Sequence, residues 1–290
     1  MPSKRQPPRR PAEPTVPELD AAADTLDRLA ADPGLIPGIF NYCDRWCERC
    51  AFTARCLSFQ LDRATRPPRA VGSGARAGLR RADPQSFWND LARSFALARR
   101  LVEREAEKLG LDLDSADALV EAEREERRRR RAAARAGSAL HQAGTVYWKT
   151  AQALLERLRP ALSATAAELQ AQVRLGAGHP EEIAAAIGDA LDVVEWYVFF
   201  IDVKLQRAVA ARVDQERDGD HGFPGDADGS AKVALVAIDR SIGAWARLRD
   251  QFPAEADALL DLLVHLERLR RAVEREFPAA RAFRRPGLDE

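Results

Sequence analysis

Residues 180–209 read PEEIAAAIGDALDVVEWYVFFIDVKLQRAV, and Ile183, Ile187, Ala190, Val194, Val198, Ile201, Leu205 and Val209 recur in it at steps of three and four. That spacing collects the apolar side chains on one face of an α-helix, whereas a half-buried strand would alternate at every second residue. A stretch this long and this regular is expected at the centre of a helical assembly. Its most apolar part, VVEWYVFFIDV at 193–203, is too short to span a bilayer and carries Glu195 and Asp202, which removes the membrane as a partner.

The same spacing appears on both sides. Asp83-Pro84 reads as an N-cap and first-turn pair, opening a helix with Phe87, Leu91, Phe95, Leu97, Leu101 and Leu109 on one face and Gly110 at its end. A second helix starts at Asp114 or Ser115; its later half, EAEREERRRRRAAARA, has no apolar stripe and reads as a solvated, charge-paired stretch. Beyond Gly137 the apolar steps return and run to Gly176, with Pro160 expected to kink or end the element. After the loop RDGDHGFPGDADGS, one helix is expected from about Ala231 to Gln251, capped by Asp228 or Ser230, and a last one from about Ala254 to Phe277. No segment alternates as a strand does. The fold class is therefore all-α, a bundle of four to five long helices over 84–286. Ahead of it stand a proline-rich disordered arm (1–17), a short helix with a four-cysteine metal-binding loop (18–62), and a flexible linker (63–83).

Composition narrows the function classes. With 46% hydrophobic residues the chain can bury a core, and its 45 basic and 45 acidic residues sum to zero net charge, so no global basic field draws it to nucleic acid. Five of the 45 basic residues are lysine, leaving 40 arginines, which reads as the codon bias of a GC-rich, bacterial-type genome. The N-terminus has no apolar signal core, and a cytoplasmic, reducing location is expected. In that setting clustered cysteines read as metal ligands rather than disulfides.

All four cysteines lie in residues 39–60, IFNYCDRWCERCAFTARCLSFQ, as Cys43-x3-Cys47-x2-Cys50-x5-Cys56. Four thiolates in so short a loop can surround one metal ion or one cubane. Structural zinc sites usually draw two Cys-x2-Cys knuckles from separate parts of a chain, and here there is one, Cys47 to Cys50. A [4Fe-4S] cluster, a structural zinc and redox-active thiols are the three readings, taken in that order. Phe40, Tyr42, Trp46, Phe52 and Phe59 would dock the loop or shield a cluster from water. Arg45, Arg49, Arg55 and Arg63 would offset the charge of a thiolate-ligated centre or touch phosphate.

The tail Cys47-x2-Cys50-x5-Cys56 resembles the iron-sulfur loop at the end of endonuclease-III-type DNA glycosylases, and the iron-sulfur staple of AddB-like and CRISPR-associated nucleases. The resemblance implies a [4Fe-4S] cluster on Cys43, Cys47, Cys50 and Cys56, with Cys43 matching the first ligand by role. The first gap departs: it is three residues here, against six in the glycosylases. The likeness covers about twenty residues and includes neither a helix-hairpin-helix with its catalytic lysine and aspartate nor a nuclease acid pair. Cys43-x3-Cys47-x2-Cys50 also matches the radical SAM signature, but a fourth cysteine would close the open iron and no βα alternation follows.

Elsewhere, Glu195 and Asp202 project from nearly the same side of the central helix and need partners if buried; Arg240, Lys232 and Lys149 are the expected ones, with a carboxylate metal or proton-transfer site as the alternative. Asp261 and His265 share a face. The Asp226–Gly229 stretch fails the calcium-loop pattern, because Leu235 falls where the bidentate glutamate belongs. No Walker loop, dinucleotide fingerprint or nucleophile elbow occurs, and no reaction is named. The expected function is an iron-sulfur helical protein serving electron transfer, redox sensing or stapling toward a protein or redox partner. A zinc-stapled interaction module and a nucleic-acid-processing protein are the alternatives.

Overall fold

The apolar row of residues 180–209 lies along one helix, Pro180–Asp218, in a computed structural model that describes residues 14–65, 84–218 and 225–289. Among the described residues every regular element is helical: α1 (Val16–Ala30), α2 (Leu57–Thr65), α3 (Pro84–Leu109), α4 (Leu113–Gly137), α5 (Ala139–Leu175), α6 (Pro180–Asp218), α7 (Asp226–Gln251) and α8 (Ala256–Glu276), with short 3-10 turns at Cys47–Arg49, Thr53–Arg55 and Pro253–Glu255. The all-α expectation holds. Among the described residues six helices, α3 to α8, have at least 21 residues each. Among the described residues no helix is long and apolar enough to cross a membrane. Most of the expected 1–17 arm and 63–83 linker lies outside the described residues; within them, Val16 and Pro17 already belong to α1, and Arg63 to Thr65 to α2.

The chain forms two compact units, Met1–Asn41 with Arg45–Glu123, and Tyr42–Asp44 with Arg124–Glu290. In the first, Thr15 and Glu18 form a reciprocal cap on α1, the Thr15 N–H donating to Glu18 Oε2 at 2.8 Å. Helix α3 belongs to this unit and packs on α1. The reason is charge: Arg100 Nε donates to Asp20 Oδ1 at 2.7 Å, and Arg104 reaches Asp24 Oδ1 at 2.9 Å and Asp27 Oδ2 at 3.5 Å. An acidic face on one helix meeting a basic face on another sets register without leaving a mark in the apolar pattern.

In the second unit α5, α6, α7 and α8 close a ring in which α5 touches α6, α6 touches α7, α7 touches α8 and α8 returns to α5. Arg207 Nη2 meets Asp226 Oδ1 at 2.6 Å at one end of the α6–α7 pair, and Arg247 Nη1 meets Asp189 Oδ2 at 3.2 Å at the other, so these two helices run antiparallel. Val194, Tyr197, Ile201 and Leu205 of α6 are buried with Ile238 and Leu248 of α7. Trp245 Nε1 donates to Tyr147 Oη at 3.2 Å across the core, which satisfies the indole N–H of a fully buried tryptophan. Helix α5 runs unbroken through Pro160, which is exposed, so the carbonyl it deprives of a donor can turn to water. Helix α7 begins at Asp226, earlier than Ala231, behind Gly225 at φ 75°; Ser230 is a buried helical residue, not a cap.

Two glycines set helix approach. A Cβ on Gly144 of α5 would sit 2.8 Å from Asp202 Oδ1 and 3.4 Å from the Asp202 backbone, and one on Gly229 of α7 would enter the ring of Tyr42. Gly188 of α6 has nothing within 4 Å of such a Cβ. Gly144→Ala and Gly229→Ala are therefore expected to lower unfolding free energy by about 1–3 kcal/mol through overpacking. Gly188→Ala is expected to raise it by about 0.5–1 kcal/mol through helix propensity. Urea titrations of the three variants check this; a stabilised Gly144→Ala would contradict it.

Candidate metal centre

The cysteine loop is built from turns rather than helices. The Cys50 N–H donates to the Cys47 carbonyl at 3.2 Å, closing one turn, and the Cys56 N–H donates to the Thr53 carbonyl at 3.4 Å, closing the next. Opposite them the Ile36 N–H donates to the Arg55 carbonyl at 2.9 Å, and Gln60 Nε2 holds the Thr53 carbonyl at 2.9 Å. Backbone polar groups that no helix satisfies are thus paired locally. The Phe52 N–H points at Cys50 Sγ, 3.4 Å away, the kind of donor that stabilises charge on a thiolate. All four cysteines are half-buried and none is in a disulfide.

Cys43 falls in the helical unit, whereas Cys47, Cys50 and Cys56 fall in the first unit. Among the described residues no three His, Cys, Asp or Glu side chains are gathered closely enough to hold a metal ion. The donors fit a soft centre by chemistry, four thiols with an N–H directed at one sulfur, and not by an assembled geometry.

Residues 42–44 are held firmly within the helical unit. Tyr42 is buried, its ring edge-on to Phe283 with centroids 4.8 Å apart. Asp44 Oδ2 accepts from Tyr197 Oη at 2.6 Å and from Arg240 Nη1 at 2.5 Å, while its carbonyl accepts from Trp196 Nε1 at 3.1 Å. Arg240 Nη1 also reaches Tyr197 Oη at 2.5 Å, so one carboxylate, one phenol and one guanidinium close a triangle. The sequence offered no signal for this clasp beyond an aspartate beside a cysteine.

The arginines of the loop are engaged locally. Arg45, in the left-handed region at φ 60°, places Nη1 3.2 Å from Ser58 Oγ; Arg49 lies over the Trp46 ring at 4.0 Å; and Arg55 Nε donates to the Gly34 carbonyl at 3.3 Å.

The acid pair of α6 separates. Glu195 is exposed, while Asp202 is 7% exposed and accepts from Gln206 Nε2 at 2.9 Å on one oxygen, with His141 Nδ1 at 3.0 Å on the other. The expected cations have other roles: Arg240 holds Asp44, Lys232 donates to the Arg281 carbonyl at 2.7 Å, and Lys149 lies 5.6 Å from the Trp148 ring. His265, on the same face of α8 as Asp261, donates from Nε2 to the Ala143 carbonyl at 2.9 Å. In α4, Arg128 and Arg129 pair with Glu125, as charge pairing along one helix requires, but Arg131 crosses to Asp214 of α6.

Comparison with protein-family models, with curated proteins and with solved structures finds no match to this chain.

Burial raises all three tyrosines above the ordinary phenol value. It acts first on each; the Asp226 charge adds to it at Tyr42 and Asp44 adds to it at Tyr197, while hydrogen bonds from Trp245 and Ser241 partly oppose it at Tyr147. Because the folded values lie above the unfolded one, the unfolded chain loses these protons first. The associated stability is complete below pH 10.0, the ordinary value, and is lost as pH rises through the folded values. Unfolding free energy is expected to fall steadily above that pH, with native tyrosinate absorbance lagging that of the urea-unfolded chain. Superimposable native and unfolded titrations would contradict it.

Proposed function

We propose that Cys43, Cys47, Cys50 and Cys56 bind one [4Fe-4S] cluster, and that this helical protein uses it in electron transfer or redox sensing toward a protein partner in a reducing, cytoplasmic setting. The observation that carries the reading is the gathering of every cysteine of the 290-residue chain into one short loop, with none in a disulfide. Thiolates select iron-sulfur clusters and zinc over hard cations. The single Cys-x2-Cys knuckle, flanked at unequal distances by its partners, favours the cluster. When bound, the cluster supplies one-electron transfer and a cross-link.

The chain's own part is to supply the thiolates and to support their charge. The Phe52 N–H does so at Cys50, and the Asp44 clasp fixes the backbone next to Cys43. Four protein ligands leave no coordination position for a substrate, so transfer, sensing or stapling is proposed rather than Lewis-acid catalysis. A zinc-stapled interaction module is the second reading, favoured by the closed 3-10 turn from Cys47 to Cys50, the local shape of a zinc knuckle. Nucleic-acid processing has less support, since Arg45, Arg49 and Arg55 are engaged within the loop.

Anaerobic purification followed by metal and acid-labile sulfide analysis, on wild type and Cys50→Ser, separates these readings. About four irons and four sulfides per chain, with a broad visible band lost in the variant, are expected. One zinc without sulfide or colour would sink the cluster and leave the zinc module.

A further inference from the structure

The groove between α5 and α8 is a second surface of the helical unit, independent of the cysteine loop. It encloses about 560 Å³, with Ala139, Ala143, Leu269 and Ala272 among its lining residues. This part of the lining is apolar, and three of those four side chains end at Cβ. Along α8, His265, Arg268, Ala272 and Arg275 border the groove at alternating steps of three and four, the spacing of a coiled-coil seam.

Several charges near this seam are paired within the unit. Glu276, at the end of the groove, is neutralised by Arg212 at 2.5 Å, and His265 is occupied by the Ala143 carbonyl. Arg270 and Arg271 share Glu267, Arg281 takes Asp239 and Glu274, and Arg207 takes Asp226. Arg268 and Arg275 are exposed and have no carboxylate partner among the described residues. Arg268 also borders a groove of about 440 Å³ on the other side of α8, lined by Ile242, Leu263 and Val264. Two unneutralised guanidinium groups above a small apolar floor form a surface with a definite complement.

We propose that this groove docks an acidic amphipathic helix of a protein partner, laid along α8 with small apolar side chains on the alanine floor and carboxylates on Arg268 and Arg275. The two arginines are seven positions apart, about 10 Å along the helix axis, so acids seven residues apart on the partner reach both. Guanidinium groups bind carboxylates in a bidentate fork, which gives the pairing direction as well as charge. The floor selects against a nucleic-acid backbone, which would leave the alanines uncovered.

The test titrates full-length protein into two fluorescein-labelled designed helical peptides: an alanine- and leucine-faced helix with glutamates seven residues apart, and the same helix with lysines in their place. Wild type is expected to bind the glutamate peptide and not the lysine peptide, less tightly as salt rises. Arg268→Glu/Arg275→Glu is expected to lose about tenfold or more for the glutamate peptide and to gain binding of the lysine peptide. Both arginines are exposed, and an unchanged thermal melt shows that the variant folds. Absence of wild-type binding, or binding unaffected by the double variant, would overturn the proposal. So would loss in the variant of wild-type self-association, making a second copy the occupant, or of single-stranded DNA binding in place of peptide binding.

Discussion

A single carboxylate organises the non-helical part of the helical unit. Asp44 is about one-fifth exposed at its side chain, and a charge so enclosed needs partners. Its partners include the Tyr197 hydroxyl and the Arg240 guanidinium, from neighbouring helices α6 and α7. Trp196 satisfies the carbonyl of the same residue. Two residues earlier in the chain, Tyr42 occupies the space that Gly229 leaves by having no side chain. Cys43 is therefore fenced on both sides by residues whose places are set by helix packing, and its backbone position follows from the fold.

The remainder of the helical unit repeats this economy of polar groups on apolar scaffolding. Gly144 allows α5 to approach α6 at Asp202, and there the buried carboxylate divides its two oxygens between His141 and Gln206. Losing one partner would leave a buried acceptor unsatisfied, which costs more than the hydrogen bond itself contributes. The ion pairs at the two ends of α6 and α7 are exposed and individually weak. They set direction and register while the buried aliphatic and aromatic rows supply most of the stability. Arg268 and Arg275, exposed and without a carboxylate partner among the described residues, stand along one groove of α8.

Periodicity in the sequence reveals the helices because burial on one face is a local property. Ser138 and Gly176, at the ends of α5, act where they are found, as an N-cap accepting from the His141 N–H and as a C-cap at φ 63°. The errors come from non-local terms. The membership of α3 depends on Arg100 and Arg104 finding Asp20, Asp24 and Asp27, a match between faces far apart in the chain. The early start of α7 depends on Arg207 holding Asp226, which a one-dimensional reading assigns to a loop. Asp44 was invisible for the same reason: its meaning lies in Tyr197 and Arg240, more than 150 residues away. The proposal of the four cysteines as one donor set rests on their short spacing and narrow chemistry.

The functional account depends on those four thiols acting as one set. Mass-spectrometric counting of alkylated cysteines in the anaerobically purified full chain, before and after the metal is stripped, addresses that most directly. The account requires Cys43, Cys47, Cys50 and Cys56 to be protected together beforehand and to become reactive together afterwards. Four thiols that alkylate at once and independently in the protein as isolated would contradict it.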